Sequence, residues 1–310
     1  MRSISIIFPV VGLILGISGP AFSQGGGFGS GGGIGSGGAG ATVSTAMIAI
    51  GAPQSCSGYG SGMNGDGEKL VYSFRFGSCF AVGAVTDAPY SGHSTTEFVR
   101  TLPDGTHLTQ PTTSQPMTYR DSMGRTRTER GPISGPLFGT RNPNAPARPV
   151  QPVVAEINDP VSGFHYILDP VNQVAHRVKV IAKTTPMPAE DSGSSTSTMP
   201  NGATSTRESL GTQVMFGVTV VGTRTTMVYP PGTYQGNDRP VMSVSEMWQS
   251  PQYRLVLLSK NTAVDGGDST TSMKDFSTAS PDPVLFQVPA GYQIVDEANE
   301  FTFTIPLATK

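Results

Sequence analysis

The chain has 310 residues, and its 20 basic and 22 acidic side chains give a net charge of −2 at pH 7. Charged residues make up only 14% of the chain, against about 25% in ordinary soluble domains. A chain with so few basic residues lacks the positive surface that nucleic-acid binding requires, so we expect no nucleic-acid partner. Two cysteines are too few for a disulfide-dense small scaffold, whereas 36% apolar residues suffice for a hydrophobic core.

Residues 1–23 have the pattern of a secretory signal peptide. Arg2 precedes an apolar stretch from Ile4 to Ile17, and Ala21 and Ser23 place small residues before a cleavage site at Gln24. The stretch is short for a membrane-spanning helix, and an uncleaved anchor is the alternative interpretation. We therefore expect a bacterial protein that is periplasmic or secreted and has no membrane span after cleavage.

Cys56 and Cys79 would lie in an oxidising compartment and are predicted to form a disulfide. The bridge would close a loop of 24 residues, which stabilises a fold by about 3 kcal/mol in the loop-entropy model. Two free buried thiols are the alternative. A cysteine-dependent enzyme is less favoured, because no histidine is close to either cysteine in sequence.

The rest of the chain is divided by changes in composition. We predict a Gly-rich tether at 24–42, a small Cys-containing segment at 43–88, a single β-rich domain at 89–296 that a polar loop at 183–206 interrupts, and a tail at 297–310.

Short β-branched runs between Gly, Pro, Asn and Asp predict a mainly β fold: a curved antiparallel sheet or half-open barrel built from hairpins, with few short helices. The sequences starting at Leu102, Asp121 and Asp169 predict three-residue hairpin loops, with the third residue at positive φ. In the third hairpin this loop places Tyr166 opposite His176 and directs His165 to the other face. We therefore predict no metal site at the two histidines, and no cofactor.

Five residues are candidates for contact with a ligand: Tyr166, His176, Trp248, Leu255 and Leu257. Trp248 ends one predicted strand, and the next has apolar residues on both faces, which indicates either a buried core strand or the wall of an apolar pocket. His176 has a second interpretation, as a hydrogen-bonded edge of the core. Four arginines, at 120, 125, 127 and 130, indicate either an anion or lipid head-group contact or a solvated strand face.

Several segments of the second half occur in a familiar order. A Gly-bounded strand pair, ESLGTQVMFGVTVVGTRTT, is followed by MSVSEMWQSPQYRLVLLSK, by STTSMKDFSTASPDP and by VLFQVPAGY. This order resembles the half-barrel fold of periplasmic lipoprotein carriers and anti-sigma regulators. The runs APYSG, YRDSMGRTRTER and NDPVSGFHYILDP are similar to uncharacterised secreted proteins of soil bacteria. The carrier resemblance implies a curved sheet with an apolar concave face.

Three functions fit these observations. The first is an extracytoplasmic, non-enzymatic binding protein that holds an apolar ligand, a lipoprotein or a protein partner on its sheet. The second is a cell-surface or matrix structural protein, favoured by low charge and abundant Ser, Thr and Gly. The third is an enzyme with an unrecognised site; the chain has no GxSxG, HExxH or P-loop motif, so we lean against this class.

Overall fold

The computed structural model of the protein describes residues 54–55, 59–63, 69–74, 80–82, 84–110, 113–114, 117–130, 153–183, 193–264 and 267–306. These residues belong to one compact unit, Ala39–Lys310. The predicted signal peptide, the Gly-rich tether and the two cysteines, Cys56 and Cys79, lie outside the described residues.

The described residues form 21 β-strands, from two to twelve residues long. In chain order the strands are β1 (Gln54–Ser55), β2 (Tyr59–Met63), β3 (Lys69–Phe74), β4 (Phe80–Val82), β5 (Tyr90–Thr101), β6 (His107–Thr109), β7 (Thr113–Ser114), β8 (Thr118–Arg120), β9 (Thr126–Arg130), β10 (Val154–Asp159), β11 (Phe164–Asp169) and β12 (Val174–Lys179). They continue with β13 (Ile181–Lys183), β14 (Ser195–Thr198), β15 (Thr204–Met215), β16 (Val218–Tyr229), β17 (Val241–Ser250), β18 (Leu255–Thr262), β19 (Gly267–Ser277), β20 (Gln293–Asp296) and β21 (Phe301–Pro306). A single 3-10 helix, Pro283–Phe286, lies between β19 and β20.

One large sheet contains fifteen of these strands, and its main path runs β14-β15-β16-β17-β18-β19-β5-β8-β9-β10-β11-β12-β20. Neighbouring strands are antiparallel, except that β20 adds to β12 in parallel. The sheet does not close into a barrel. The predicted mainly β class, built from hairpins into an open sheet, is confirmed.

Strand β5 joins the two halves of the chain within this sheet. On one side it pairs with β19 from Ser91 to Arg100. On its other side it pairs in succession with β8, β7 and β6. The sheet therefore depends on contacts between distant parts of the sequence.

Residues 297–310, which composition predicts as a tail, contain a strand that belongs to the core. β21 pairs with β3 in a second, three-stranded sheet with β2. Its Phe303 and Ile305 pack with Phe74 on Val154 and Ile167 of the large sheet. Apolar side chains at alternate positions of β21 share one face, and this face is the buried one.

The opposite face of β10 to β12 is covered by the chain that follows the 3-10 helix. Val288 and Tyr292 of this segment pack on a buried cluster of the large sheet. The members of that cluster are Ala155, Ile157, Leu168 and Ala175. Strands β10 to β12 are therefore covered on both faces, by β3 and β21 on one side and by this segment on the other.

The hairpin loops confirm two of the three predicted turns. Gly105 and Gly124 have φ of 86° and 81°. The backbone hydrogen bonds Leu102 to Thr106 and Asp121 to Arg125 close three-residue loops. Glycine at the third position removes the steric cost of positive φ, so these loops follow from the sequence.

The third predicted turn and its register are wrong by one residue. Asp169 pairs with Val174 across a four-residue loop, and positive φ falls on Gln173 rather than on Asn172. The Asp169 carboxylate accepts hydrogen bonds from the Val171 and Asn172 amides at 2.9 and 3.1 Å, and these hold the longer turn.

A slip of one residue exchanges the faces of a strand. Ile167 is therefore opposite His176, and Tyr166 is opposite Arg177. His165 shares a face with His176 instead of pointing away from it.

The stretch at 183–206, predicted as a polar loop, contributes to the large sheet. β14 pairs with the first four residues of β15, from Ser195 opposite Arg207 to Thr198 opposite Thr204. All four β14 side chains are exposed. Threonine is β-branched and tolerates a solvated edge, so a Ser-Thr repeat forms a strand there without an apolar pattern.

Candidate functional site: the open sheet and its Trp248 face

The five predicted ligand-contacting residues do not meet in one place. Tyr166 and His176 lie on opposite faces of the β11–β12 hairpin, because Tyr166 pairs with Arg177. Trp248, Leu255 and Leu257 belong to a different cluster, on β17 and β18. A single pocket lined by Tyr166 and Trp248 is therefore not the arrangement in this fold.

His176 is a packed and hydrogen-bonded core-edge residue. Its ring stacks on Phe301 and Phe303, with centroids 4.2 and 5.5 Å away. Its Nδ1 lies 2.7 Å from a carboxylate oxygen of Glu297. The interpretation of His176 as a hydrogen-bonded edge of the core is confirmed. Among the described residues, no group of three or more His, Cys, Asp and Glu could hold a metal ion.

Leu255 and Leu257 are core residues, with 0% and 1% of their surface exposed. They pack in a cluster that strands from both halves of the chain supply. Its buried members are Val85, Ala88, Tyr90, Val218, Val220, Tyr253, Leu255, Leu257 and Met273. Trp248, Met215 and Phe276 lie at the border of this cluster and are only partly buried.

Trp248 is the only tryptophan of the chain, and its ring lies directly over Gly222 on the neighbouring strand. A Cβ atom at Gly222 would come within 2.5 to 2.7 Å of the Trp248 ring. Glycine at this position thus provides the space for the indole. The sequence around Gly222 gives no sign of this contact, because its partner Trp248 belongs to the next strand.

Six neighbouring strands continue beyond this core as a region that we call the open sheet, in which no side chain is buried. It consists of 204–215 of β15, 223–229 of β16, 241–249 of β17, 258–262 of β18, 267–272 of β19 and 93–101 of β5. Because paired residues share a face and alternate residues change faces, the strand register assigns each side chain to one of two surfaces.

The first surface, the Trp248 face, combines an apolar row with a charged row. The row next to the core contains Gly222, Trp248, Leu258, Ser272 and Thr95. The next row contains Glu208, Arg224, Glu246, Lys260, Thr270 and Glu97. Opposite charges thus alternate across four strands beside the indole.

Arg224 and Glu246 form a hydrogen-bonded ion pair in the charged row. Arg224 donates from Nε and Nη2 to one Glu246 carboxylate oxygen, at 2.9 and 2.6 Å. These hydrogen bonds, together with the Glu246 charge, raise the pKa of the Arg224 guanidinium. The pair keeps both charged groups at fixed positions beside the apolar row.

The second surface, the hydroxyl face, is nearly free of charge. One row contains Ser209, Thr223, Met247, Ser259, Thr271 and Thr96, and the next contains Arg207, Thr225, Ser245, Asn261, Ser269 and Phe98. The hydroxyl groups of Thr96 and Thr271 form a hydrogen bond of 2.8 Å, and the Ser245 hydroxyl donates to Asn261 Oδ1 at 2.7 Å. The two faces of the same strands therefore differ in chemistry.

The described side chains of the arginine cluster bind groups of the chain itself. Arg125 binds the Asp121 carboxylate at 2.6 Å, and Arg127 binds Glu129 at 3.0 Å and the Leu285 carbonyl at 3.1 Å. Only the backbone of Arg130 is described. The chain's own carboxylates and carbonyls thus occupy Arg125 and Arg127.

Arg120 is fully buried, so the prediction of a solvated strand face is wrong for this residue. Its guanidinium donates to the carbonyls of Ala88 and Tyr253, both at 2.9 Å, and lies 4.7 Å from the centre of the Tyr90 ring. Burial lowers the pKa of Arg120 and raises the pKa of Tyr90 to about 12. Carbonyl dipoles and the aromatic face replace a carboxylate partner.

Arg120 begins a buried polar row that crosses the sheet. Its members, each paired with the next, are Arg120, Thr126, Asn158 and His165. Among the described residues, Arg120 Nη1 and Asn158 Oδ1 have no hydrogen-bond partner. The His165 ring lies 3.5 Å from Glu156 without a hydrogen bond of good geometry. The contacts of this row are with the core, so we assign it to the fold rather than to a ligand.

No protein-family model and no curated protein matches the chain. Among solved structures it is similar to a LolA superfamily protein from Nitrosomonas europaea, at 9% identity and a TM-score of 0.23 over 66% of this chain and 92% of that one. It is also similar to the lipoprotein LppX of Mycobacterium tuberculosis, at 9% identity and a TM-score of 0.21 over 62% and 88% of the two chains.

A DUF1329 family protein from Desulfovibrio piger matches at 10% identity and a TM-score of 0.17, over 66% of this chain and 91% of that one. A LolA superfamily protein and a lipoprotein are thus among the similar structures, and no family model or curated protein supports the likeness to secreted soil-bacterial proteins. At these TM-scores the chain is assigned to no family.

Proposed function

We propose that the protein is an extracytoplasmic, non-enzymatic binding protein that holds an apolar group against the Trp248 face of the open sheet. The apolar group is the acyl chain of a lipid or lipoprotein, or an apolar segment of a protein partner. The described residues contain no helix that is long and apolar enough to cross a membrane. The sequence of residues 1–23 supports a place outside the cytoplasm.

One observation supports the proposal: the apolar core continues to Trp248, whose cross-strand neighbour is Leu258, and no described residue of the open sheet beyond them is buried. A half-buried indole beside an aliphatic side chain offers a large apolar contact area. The alternating charges of the next row can accept the polar part of an amphiphilic ligand or the rim of a protein interface.

The test begins with native mass spectrometry of the mature protein purified from its own secretory compartment, followed by solvent extraction. We expect a lipid or an acylated partner at near one-to-one stoichiometry. As the only tryptophan, Trp248 also reports contact directly. Fatty acids brominated along the acyl chain should quench its fluorescence.

Two neighbouring substitutions provide the control. Ser272→Lys places a cationic side chain opposite Leu258 on the Trp248 face, whereas Thr271→Lys places the same side chain on the hydroxyl face. Because burying an unpaired charge is costly, Ser272→Lys should weaken acyl binding by about tenfold or more, with Thr271→Lys near wild type. Absence of bound lipid and of quenching in the wild-type protein, or equal loss in both variants, contradicts the proposal.

A structural role at the cell surface or in a matrix is the second candidate, and the exposed edge of β15 favours it. Val214 on this edge is 70% exposed. If this role is correct, the protein should remain in the detergent-insoluble envelope or matrix fraction of its own cells. Recovery of the whole population as a freely soluble protein argues against it.

A further inference from the structure

The two edges of the large sheet differ in how far they are protected from pairing with a strand of another molecule. At one end β20 is only four residues long, and its Asp296 is paired with Arg177 through hydrogen bonds of 2.6 and 2.7 Å. At the other end β14 covers only residues 204–207 of the 12-residue strand β15. In the part of the chain that the structure describes, residues 209–215 pair with β16 alone.

From Thr212 to Met215, this free edge lacks the features that usually prevent strands from pairing between molecules. Natural edge strands carry charged residues, proline or bulges. The sequence from Ser209 to Thr223 contains no Asp, Glu, Lys, Arg or Pro. The register shift of β15 lies between Ser209 and Gly211, so the pairing from Thr212 to Met215 is regular.

Apolar side chains are exposed where the edge ends. Val214 is 70% exposed, and Phe216 in the following turn is 51% exposed. Met215 pairs with Val218 across a two-residue turn, with positive φ at both Phe216 and Gly217. The edge thus presents free backbone groups and apolar side chains together.

We propose that β15 of a second copy of this chain pairs with this edge, antiparallel and about a two-fold axis. With the axis at Gln213, Thr212 of each copy lies opposite Val214 of the other, so no charges meet. A two-fold interface uses one surface twice and closes both free edges. Because the segment carries no charge, two copies of it do not repel each other. The short strand β14 already pairs with the adjacent residues 204–207 of the same edge.

Mass measurement by light scattering during size-exclusion chromatography, over a range of concentrations of the mature protein, tests the dimer. Hydrogen exchange then measures protection of the 209–215 amides in monomer and dimer. Val214→Lys places like charges near each other across the two-fold axis, and should weaken dimerisation by about tenfold or more. Val161→Lys, at a similarly exposed loop position, is the control and should dimerise normally.

A concentration-dependent dimer with protected 209–215 amides, lost in Val214→Lys and kept in Val161→Lys, supports the proposal. Three results overturn it: a monomer with unprotected 209–215 amides at every concentration, a dimer that Val214→Lys leaves unchanged, or growth of open-ended filaments instead of a closed pair. None of these results depends on the apolar ligand, so the two proposals fail separately.

Discussion

At position 222, glycine is required by the neighbouring Trp248 side chain rather than by the backbone conformation. The Trp248 ring occupies the space that any Cβ atom at position 222 would need. Gly222→Ala therefore has to displace the indole, and overpacking of this kind costs about 1–3 kcal/mol.

The free energy of unfolding of Gly222→Ala, measured by chemical denaturation, should fall by that amount, with a shift in the emission of Trp248. The adjacent Thr223→Ala on the hydroxyl face is the control and should have a small effect. Wild-type stability and emission in Gly222→Ala would show that the ring lies elsewhere.

The buried hydroxyl of Tyr90 should make the stability of the protein fall at alkaline pH. Burial raises the pKa of its hydroxyl from 10.0 to about 12. A raised folded-state pKa means that the stabilisation is complete below about pH 10 and is lost as the pH rises toward 12, because the unfolded chain ionises first.

We expect the unfolding free energy of the wild-type protein to decline over this interval by about 2–3 kcal/mol more than that of Tyr90→Phe. Denaturant titrations at several pH values measure this difference. Parallel declines in the two proteins would show that the Tyr90 hydroxyl ionises normally.

At the scale of single elements, β1 and β4 bear on the predicted disulfide. Gln54 pairs with Ala81 and Ser55 with Phe80 in antiparallel register. Ser55 and Phe80 adjoin the two cysteines in the sequence, and Cys56 and Cys79 themselves lie outside the described residues. The pairing of Ser55 with Phe80 brings together the chain next to each cysteine, and a disulfide needs two cysteines whose Cα atoms lie within about 7 Å.

We therefore predict that the protein purified from its own cells has no free thiol. Alkylation without reduction should leave its intact mass unchanged, and Cys56→Ser with Cys79→Ser should lower stability by about 3 kcal/mol. Two alkylated thiols in the unreduced protein would disprove the bridge.

The hairpins also show how much of the fold the sequence predicts. Loops with glycine at the positive-φ position, at Gly105 and Gly124, follow from local chemistry. The loop after Asp169 contains no glycine, so hydrogen bonds to the Asp169 side chain determine whether Asn172 or Gln173 adopts positive φ. That one-residue choice decided which face carries Tyr166, and hence the composition of the predicted site.

Some side chains are placed by partners too distant in sequence for any pattern to reveal. The Tyr253 carbonyl that binds Arg120 is 133 residues away. An arginine in a hairpin rich in charge is typical of a solvated surface, and only the assembled sheet buries it. The sequence likewise predicts the apolar strand that follows Trp248. It does not predict the accessible surface beside the indole, because strands from both halves of the chain form that surface.

At the scale of the whole molecule, the two faces of the open sheet carry different kinds of side chain, although the sequence shows one alternating β pattern. Along β16 and β17 the alternation of residues places Arg224 and Glu246 on the Trp248 face and Thr223 and Met247 on the hydroxyl face. Composition alone, with 14% charged residues, gave no indication that charge is concentrated on one surface.

The pairing of β5 with β19 also sets an order of events in folding. Thr96 and Thr271 are 175 residues apart in sequence but join their hydroxyls. Likewise, β3 finds its partner β21 only at the end of the chain. Contacts of such long sequence separation form slowly, because the loop must close before any pairing energy is gained. The sheet is therefore completed only after the C-terminal strands are synthesised, and a chain exported through a translocation pore would cross it before the native fold could form.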